Sequence, residues 1–115
     1  MLEKLIQDLN HKDFSKQEAL DLILNLTQQG YQIFVGSDSQ IIKRKISMVT
    51  AICLWKVGGG SKILFIKERI KKKAYPSLYA RMELETMRSL EVASEINEVI
   101  DQKITIHLDL GTDER

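Results

Sequence analysis

The sequence predicts a mixed α/β domain with the element order helix, three strands, helix, strand. Two segments repeat apolar residues at the spacing of a helix face, and four strand-length segments are rich in Ile, Val and Leu. Short connections between the first three strands predict an antiparallel meander. With 115 residues, the chain is long enough for one domain with a single modest core.

The first helix is predicted over residues 16–29. Ser15 and Glu18 have the spacing of a capping box, and Gly30 stands where a glycine commonly ends a helix. Residues 1–14 are interpreted as an N-terminal extension, with a weak helical pattern over residues 2–9. The whole chain, 1–115, is treated as a single domain.

The first three strands are predicted over residues 31–37, 46–57 and 62–68. Residues 38–45 are expected to connect the first two strands, and three glycines at 58–60 the next two. The second strand is almost continuously apolar, which is typical of a strand covered on both faces.

Pro76 marks the break before the second helix, which is predicted over residues 77–100. A fourth strand is predicted over 103–110, with Thr105, His107 and Asp109 on one side. A crossover strand of this kind is usually followed by another helix that covers the other face of the sheet. Because the chain stops five residues after this strand, we interpret it as a domain whose C-terminal part is missing.

The composition excludes several classes of protein. No apolar stretch is long enough to span a membrane, and the N-terminus lacks the apolar region of a secretory signal. The single cysteine, Cys53, fits a reducing compartment and is interpreted as a core residue. We therefore expect a cytoplasmic protein. The net charge of +1 does not by itself indicate nucleic acid.

Two aspartates, Asp38 and Asp109, each stand at the end of a predicted strand. Ligands of α/β sheets commonly bind outside strand ends, although Asp is also a common turn residue. We expect the two to belong to one acidic, metal-binding site.

Glu85 is the third candidate, because helical projection places it on the apolar stripe of the second helix. A buried carboxylate is costly unless it is paired or metal-bound. Glu85 could bond Arg81 or Arg88 at the edge of the stripe, or could point at the two aspartates. Three converging carboxylates would require a divalent cation, and oxygen ligands suit Mg²⁺ or Mn²⁺. His107 lies near such a site and is interpreted as a surface residue.

Basic residues concentrate in two segments. The first is Lys43, Arg44 and Lys45, and the second spans 67–73 and ends in Lys71, Lys72 and Lys73. Such clusters are commonly only solvated surface. Next to a metal site, they could bind the phosphates of a nucleic acid, and we treat these six residues as candidate nucleic-acid contacts.

Three short motifs carry a resemblance to a known family: VGSDSQ at 35–40, ELETMRSLEVA at 83–93 and IHLDLG at 106–111. With the predicted element order, they resemble the ribonuclease H-like superfamily. More narrowly, they are similar to the YkuK-type family of bacterial ribonuclease H-like proteins. The resemblance implies a ribonuclease H-like mixed sheet and covers the chain from about residue 15 onward.

The resemblance also implies a function. Asp38, Glu85 and Asp109 match the catalytic, metal-binding acids of a two-metal nuclease acting on RNA or an RNA–DNA hybrid. A fourth acidic residue, common in such nucleases, has no match in this chain. A non-catalytic module that binds nucleic acid or a protein partner is therefore the alternative. A third reading is a structural domain that oligomerises through uncovered apolar surface, and it would make the chain a homodimer.

Overall fold

The fold is one six-stranded mixed sheet with two helices, seen in a computed structural model that describes residues 1–108. The strands lie in the order β2-β1-β5-β4-β3-β6. The elements are β1 (Ile6–Asp8), β2 (Asp13–Phe14), α1 (Lys16–Gln28), β3 (Gln32–Ile42), β4 (Lys45–Lys56), β5 (Gly60–Lys71), α2 (Leu78–Asn97) and β6 (Ile104–His107). A short 3₁₀ turn, Lys72–Ala74, follows β5. The predicted mixed α/β architecture is confirmed.

Helix α1 begins and ends as the sequence predicts. The Ser15 hydroxyl accepts a hydrogen bond from the backbone N–H of Glu18 at 3.1 Å, and the Glu18 carboxylate accepts one from the backbone N–H of Ser15 at 2.8 Å. This reciprocal pair is the expected capping box. At the other end Gly30 adopts φ +96°, a conformation that glycine takes without steric cost.

Strands β3, β4 and β5 form the expected antiparallel meander. The prediction that residues 38–45 connect the first two strands was wrong, because β3 continues to Ile42 and every residue from Asp38 to Ile42 pairs with β4. The turn needs only Lys43 and Arg44, with Lys43 at φ +59°. Strand β5 likewise runs to Lys71, beyond its predicted end.

The N-terminal segment forms strands, and the weak helical pattern over residues 2–9 was misleading. Ile6 pairs with Phe14 of β2 and with Ile66 of β5, and the Ile6 side chain is fully buried. Strand pairing is favoured here because it buries Ile6 in the main core, which a short isolated helix could not do.

Both helices pack on the same face of the sheet. The core there includes Ile33, Ile52 and Leu64 from the strands, Ile23 from α1 and Ile96 from α2. We call the other face the open face. No helix within residues 1–108 packs on it, so the prediction that the second strand is covered on both faces was wrong for the described part of the chain. The side chains of β4 on the open face are partly or largely exposed: Val49, Ala51, Cys53 and Trp55.

Helix α2 runs three residues shorter at its C-terminal end than the predicted helix, 77–100. Glu85 is buried in it, with Leu84, Ser89 and Val92, as the helical projection predicted.

Strand β6 pairs in parallel with β3, opposite Ile33 to Gly36. Thr105 and His107 are exposed whereas Ile104 and Ile106 are half-buried, as the predicted alternation requires. Within the described part of the chain, neither helix has the length and apolar character needed to cross a membrane.

Candidate functional site

Asp38 lies in the interior of β3, directly opposite Val49 of β4. The sequence prediction put it at a strand end, and this was wrong because the β3–β4 pairing extends four residues further, to Ile42. The Asp38 side chain is exposed and lines a cavity on the open face. Its carboxylate is therefore accessible to a ligand from solvent.

Glu85 lies on the helix side of the sheet, where α2 crosses β3. Its side chain is 9% exposed, and the Ser39 hydroxyl donates a hydrogen bond of 2.5 Å to its carboxylate. The Arg81 guanidinium also donates to the Ser39 hydroxyl, at 3.4 Å. Arg88, the other expected partner of Glu85, forms a salt bridge of 3.0 Å with Glu68.

The contact between β3 and α2 continues with hydroxyl groups. Ser37 and Ser89 share a hydrogen bond of 2.9 Å, and the Ser37 hydroxyl donates to Thr50 at 3.1 Å. Thr50 and Ser89 are buried, so each needs such a partner. This row of small polar side chains explains why the apolar stripe of α2 is interrupted at Glu85 and Ser89.

Asp38 and Glu85 extend to opposite faces of the sheet. Ser37 and Ser39 both contact α2, and side chains alternate along a strand, so Asp38 between them points to the open face. Glu85 thus contacts Ser39, the residue next to Asp38, but lies on the opposite face of the sheet from the Asp38 side chain. Asp109, the third candidate, lies outside the described residues.

The described carboxylates match a divalent cation in donor type but not in number. Carboxylate oxygens are the right chemical type for Mg²⁺ or Mn²⁺. Within residues 1–108, however, no group of three or more His, Cys, Asp or Glu side chains is close enough to hold a metal ion. Of the predicted metal ligands among the described residues, Asp38 is exposed on the open face. The Glu85 carboxylate accepts a hydrogen bond from Ser39 on the helix-covered face.

His107 of β6 lies on the open face and lines the same cavity as Asp38. It pairs with Gly36, and a Cβ added to Gly36 would lie 3.4 Å from the Cβ of His107. The glycine thus lies in close contact with the Cβ of His107. The ring also packs edge-on against Phe34, with centroids 5.7 Å apart.

The two basic segments form one surface at the end of the sheet. Lys45 pairs with Lys71 across β4 and β5, and the backbone N–H of Lys72 donates to the carbonyl of Arg44 at 3.4 Å. We call this end the basic surface, and it comprises Lys43, Arg44, Lys45, Arg69, Lys71, Lys72 and Lys73. Two cavities open on it, one beside Pro76 and one beside Ile42.

The charges of the basic surface are not neutralised within the described residues. The salt bridges formed by residues 1–108 involve Lys62, Arg88 and the N-terminal ammonium, and none reaches this surface. Lys67 adds a further cation beside it, in the same cross-strand row as Val49 and Asp38. A local positive field thus forms although the whole chain carries only +1.

Sequence reasoning treated 43–45 and 67–73 as two basic segments, which the pairing of Lys45 with Lys71 joins. Lys67, Arg69 and Lys71 alternate along β5 and so share the open face. Sequence reasoning also missed the aromatic side chains of this face, Phe34, Trp55 and Phe65. Cys53 lies among them, half-buried and not in the core, and burial raises the pKa of its thiol. The thiol is therefore protonated at neutral pH and is not an activated nucleophile.

The comparisons with known proteins agree with this architecture. A family model described as ribonuclease H-like matches residues 16–115. No curated protein and no solved structure matches the chain. The match spans both helices and strands β3 to β6, so the chain belongs to the ribonuclease H-like family.

Proposed function

We propose that this chain is a metal-dependent, ribonuclease H-like nuclease domain that binds RNA or an RNA–DNA hybrid and hydrolyses its phosphodiester bonds. The observation that carries the proposal is that Asp38 shares the open face of one sheet with three cations of the basic surface, Lys45, Arg69 and Lys71. The row Asp38–Val49–Lys67 is followed by Gln40–Ser47–Arg69 and Ile42–Lys45–Lys71.

The spacing of these rows suits a polyanion. Val49 and Lys45 are four residues apart on β4, which corresponds to about 13 Å along the strand. A nucleic-acid backbone held by Lys45, Arg69 and Lys71 could therefore reach Asp38 without leaving the open face. Lysine and arginine contacts to phosphate would supply most of the affinity and would fix the position of the backbone.

Asp38 and Asp109 are the residues we propose to hold Mg²⁺ or Mn²⁺. When bound, such a cation supplies an activated water and stabilises negative charge on the leaving oxygen. The basic surface positions the phosphate backbone relative to Asp38. Glu85, the third predicted ligand, contributes in this proposal by fixing β3 through Ser39, next to Asp38.

The binding part of the proposal can be tested by fluorescence anisotropy with a labelled RNA–DNA hybrid over a range of salt concentrations. We expect the double variant Lys45→Gln/Lys71→Gln to weaken binding and to reduce the log–log salt slope by about 2. The matched control is Lys16→Gln/Lys103→Gln, which removes two exposed charges elsewhere. Equal slopes for both double variants would contradict the role of the basic surface.

The catalytic part requires a separate measurement. We expect cleavage of the hybrid in Mg²⁺ or Mn²⁺ by the chain and by Asp101→Asn, an exposed control, and its loss in Asp38→Asn. Cleavage by Asp38→Asn at the unaltered rate would remove Asp38 from the mechanism.

A non-catalytic module that binds nucleic acid is the second candidate. The observation that favours it is the placement of Asp38 and Glu85 on opposite faces of the sheet, which leaves the open face with fewer carboxylates than the predicted three. Binding of the hybrid with no cleavage in either cation would support this alternative.

A further inference from the structure

A pocket at the end of the sheet lies between two turns, and four of its five lining residues are cations. Its volume is about 510 Å³, and it is lined by Arg44, Lys71, Lys72, Lys73 and Pro76. We call it the turn pocket. Of the five residues only Lys71 belongs to a strand, because Arg44 lies in the β3–β4 turn and the others follow β5. The turn pocket is therefore formed mainly by the turns and not by the open face of the sheet.

Backbone hydrogen bonds hold the two turns together. The N–H of Lys72 donates to the carbonyl of Arg44 at 3.4 Å. The N–H of Tyr75 donates to the carbonyl of Lys72 at 3.0 Å and closes the 3₁₀ turn. The backbone thus fixes the positions from which the cationic side chains extend around one space.

The surrounding sequence offers these cations few acidic partners. Residues 39–82 contain eleven of the 17 lysines and arginines but a single acid, Glu68. The Glu68 carboxylate already forms a salt bridge of 3.0 Å with Arg88 of α2. None of the salt bridges within residues 1–108 includes a residue of the turn pocket. Cations that share one cavity repel one another, so a bound anion would stabilise this arrangement.

The concentration of charge indicates the kind of anion. A phosphodiester within a strand carries one negative charge, whereas a terminal phosphate monoester carries about −1.5 to −2 at pH 7 and has three acceptor oxygens. Arginine binds phosphate through two parallel hydrogen bonds, and lysine binds it as a point charge. The turn pocket offers one arginine and three lysines, a donor set that suits the monoester better than a single diester.

We propose that the turn pocket binds the terminal phosphate monoester of a nucleic-acid strand. The rest of the strand follows the cations of the open face, since Lys71 belongs both to the turn pocket and to the row Ile42–Lys45–Lys71. The substrate is thereby narrowed to strands with a phosphorylated end. This inference rests on the proposed function, because it takes the ligand to be nucleic acid.

The test compares RNA–DNA hybrids of one sequence that carry a 5′-phosphate, a 3′-phosphate or only hydroxyl groups at their ends. Fluorescence anisotropy with an internal label, in the absence of divalent cations, measures binding without cleavage. We expect one of the two phosphorylated ends to raise the affinity by about 5- to 30-fold over hydroxyl ends. Lys72→Gln/Lys73→Gln should abolish this ratio, whereas Lys72→Arg/Lys73→Arg keeps both charges and should retain it.

Two further double variants serve as controls. Lys16→Gln/Lys103→Gln removes exposed charges that do not line the turn pocket and should leave the ratio unchanged. Lys45→Gln/Arg69→Gln removes cations of the open face. It should weaken the binding of phosphorylated and hydroxyl-ended hybrids by the same factor.

Adenosine 5′-monophosphate and inorganic phosphate distinguish a strand end from a free phosphate. Both lack the backbone contacts of a strand. Each should therefore displace the phosphorylated hybrid only at a concentration at least about 100-fold above the dissociation constant of the hybrid. Displacement by adenosine 5′-monophosphate at a concentration equal to that constant would identify a site for free nucleotides and overturn the inference.

Other outcomes would also overturn the inference, and they separate it from the proposed function. Equal affinity for phosphorylated and hydroxyl ends would refute it and leave the binding role of the open-face cations intact. A ratio that Lys72→Gln/Lys73→Gln does not change would place the terminal phosphate outside the turn pocket. Displacement of the phosphorylated hybrid by an equal concentration of a poly-glutamate peptide would show that the turn pocket binds an acidic protein segment. No binding of any hybrid would refute both proposals.

Discussion

The Ser39 hydroxyl donates a hydrogen bond of 2.5 Å to the Glu85 carboxylate and so joins the middle of β3 to α2. The bond lies directly behind Asp38, on the other face of the sheet. Glu85, which the sequence predicted to be a metal ligand, thus contacts the strand that carries the exposed Asp38. Because the two carboxylates lie on opposite faces of the sheet, each can be substituted without removing a contact of the other.

Removing the Ser39 hydroxyl should destabilise the fold. Ser39→Ala takes a hydrogen bond from a buried carboxylate, which typically costs about 1–3 kcal/mol. We expect this loss in the free energy of unfolding measured with urea. Ser61→Ala, at an exposed position of β5, is the control and should change stability by less than about 0.5 kcal/mol. Similar stabilities for the two variants would contradict a structural role for this bond.

Metal binding should distinguish Asp38 from Glu85. We expect Asp38→Asn to abolish the binding of Mn²⁺ followed by isothermal titration calorimetry. Glu85→Gln should bind Mn²⁺ as the unaltered chain does, because its carboxylate lies on the helix side of the sheet. Asp101→Asn serves as the surface control. If Glu85→Gln lost binding as completely as Asp38→Asn, the two carboxylates would have to approach the same ion.

The N-terminal ammonium should make stability depend on alkaline pH. Burial alone would lower its pKa, but hydrogen bonds to Glu3, Glu95 and Glu91 outweigh this and raise the pKa above the usual 8.0. Because the folded pKa exceeds the unfolded one, the stabilisation is complete below pH 8 and is lost as the pH rises through the folded value.

Urea unfolding between pH 7 and pH 10 would measure this loss. Glu95→Gln, which weakens the bond of 2.9 Å to the ammonium, should be less stable at pH 7 and should depend less on pH. An unchanged pH profile in Glu95→Gln would show that the ammonium contributes nothing through this carboxylate.

Asp8 should produce the opposite dependence at acid pH. Backbone N–H groups of Lys12 and Asn10 and the ammonium of Lys62 bond to its carboxylate, and the pKa of Asp8 lies below the usual 3.8. The stabilisation is therefore present above pH 3.8 and is lost as the pH falls through the folded pKa. We expect Asp8→Asn to unfold at lower urea concentration at pH 7 and to lose less stability on acidification. Asp101→Asn should behave as the unaltered chain does.

Sequence patterns predicted an element well where residues close together in the chain determine it. Ser15, Glu18 and Gly30 fixed the ends of α1, and helical spacing correctly identified Glu85 as a buried acid. The extent of β3 was not predictable in this way, because Ser39 to Ile42 are polar or exposed and become strand only by pairing with β4. The N-terminal strands likewise depend on β5, which is more than fifty residues away in sequence.

The candidate site was likewise predicted only in part. The types of the acidic residues were recognised, but the face to which each side chain points depends on register, and a shift of one residue reverses it. Asp38 was placed at a strand end because the apolar run at 33–36 ends just before it, whereas the turn is made by Lys43 and Arg44. The union of the two basic segments required the pairing of Lys45 with Lys71, which no local pattern contains.

The parallel pairing of β6 with β3 has a kinetic consequence. The meander β3–β4–β5 joins neighbours in sequence, whereas the pairing of Ile33 with Ile104 closes a loop through all intervening elements. Loop closure of that length is entropically costly and slow, so β6 should dock after the meander has formed. Because His107 lies on β6, the histidine should join the surface that carries Asp38 only after the meander has formed. Early folding intermediates that contain only the meander should therefore lack the histidine beside Asp38.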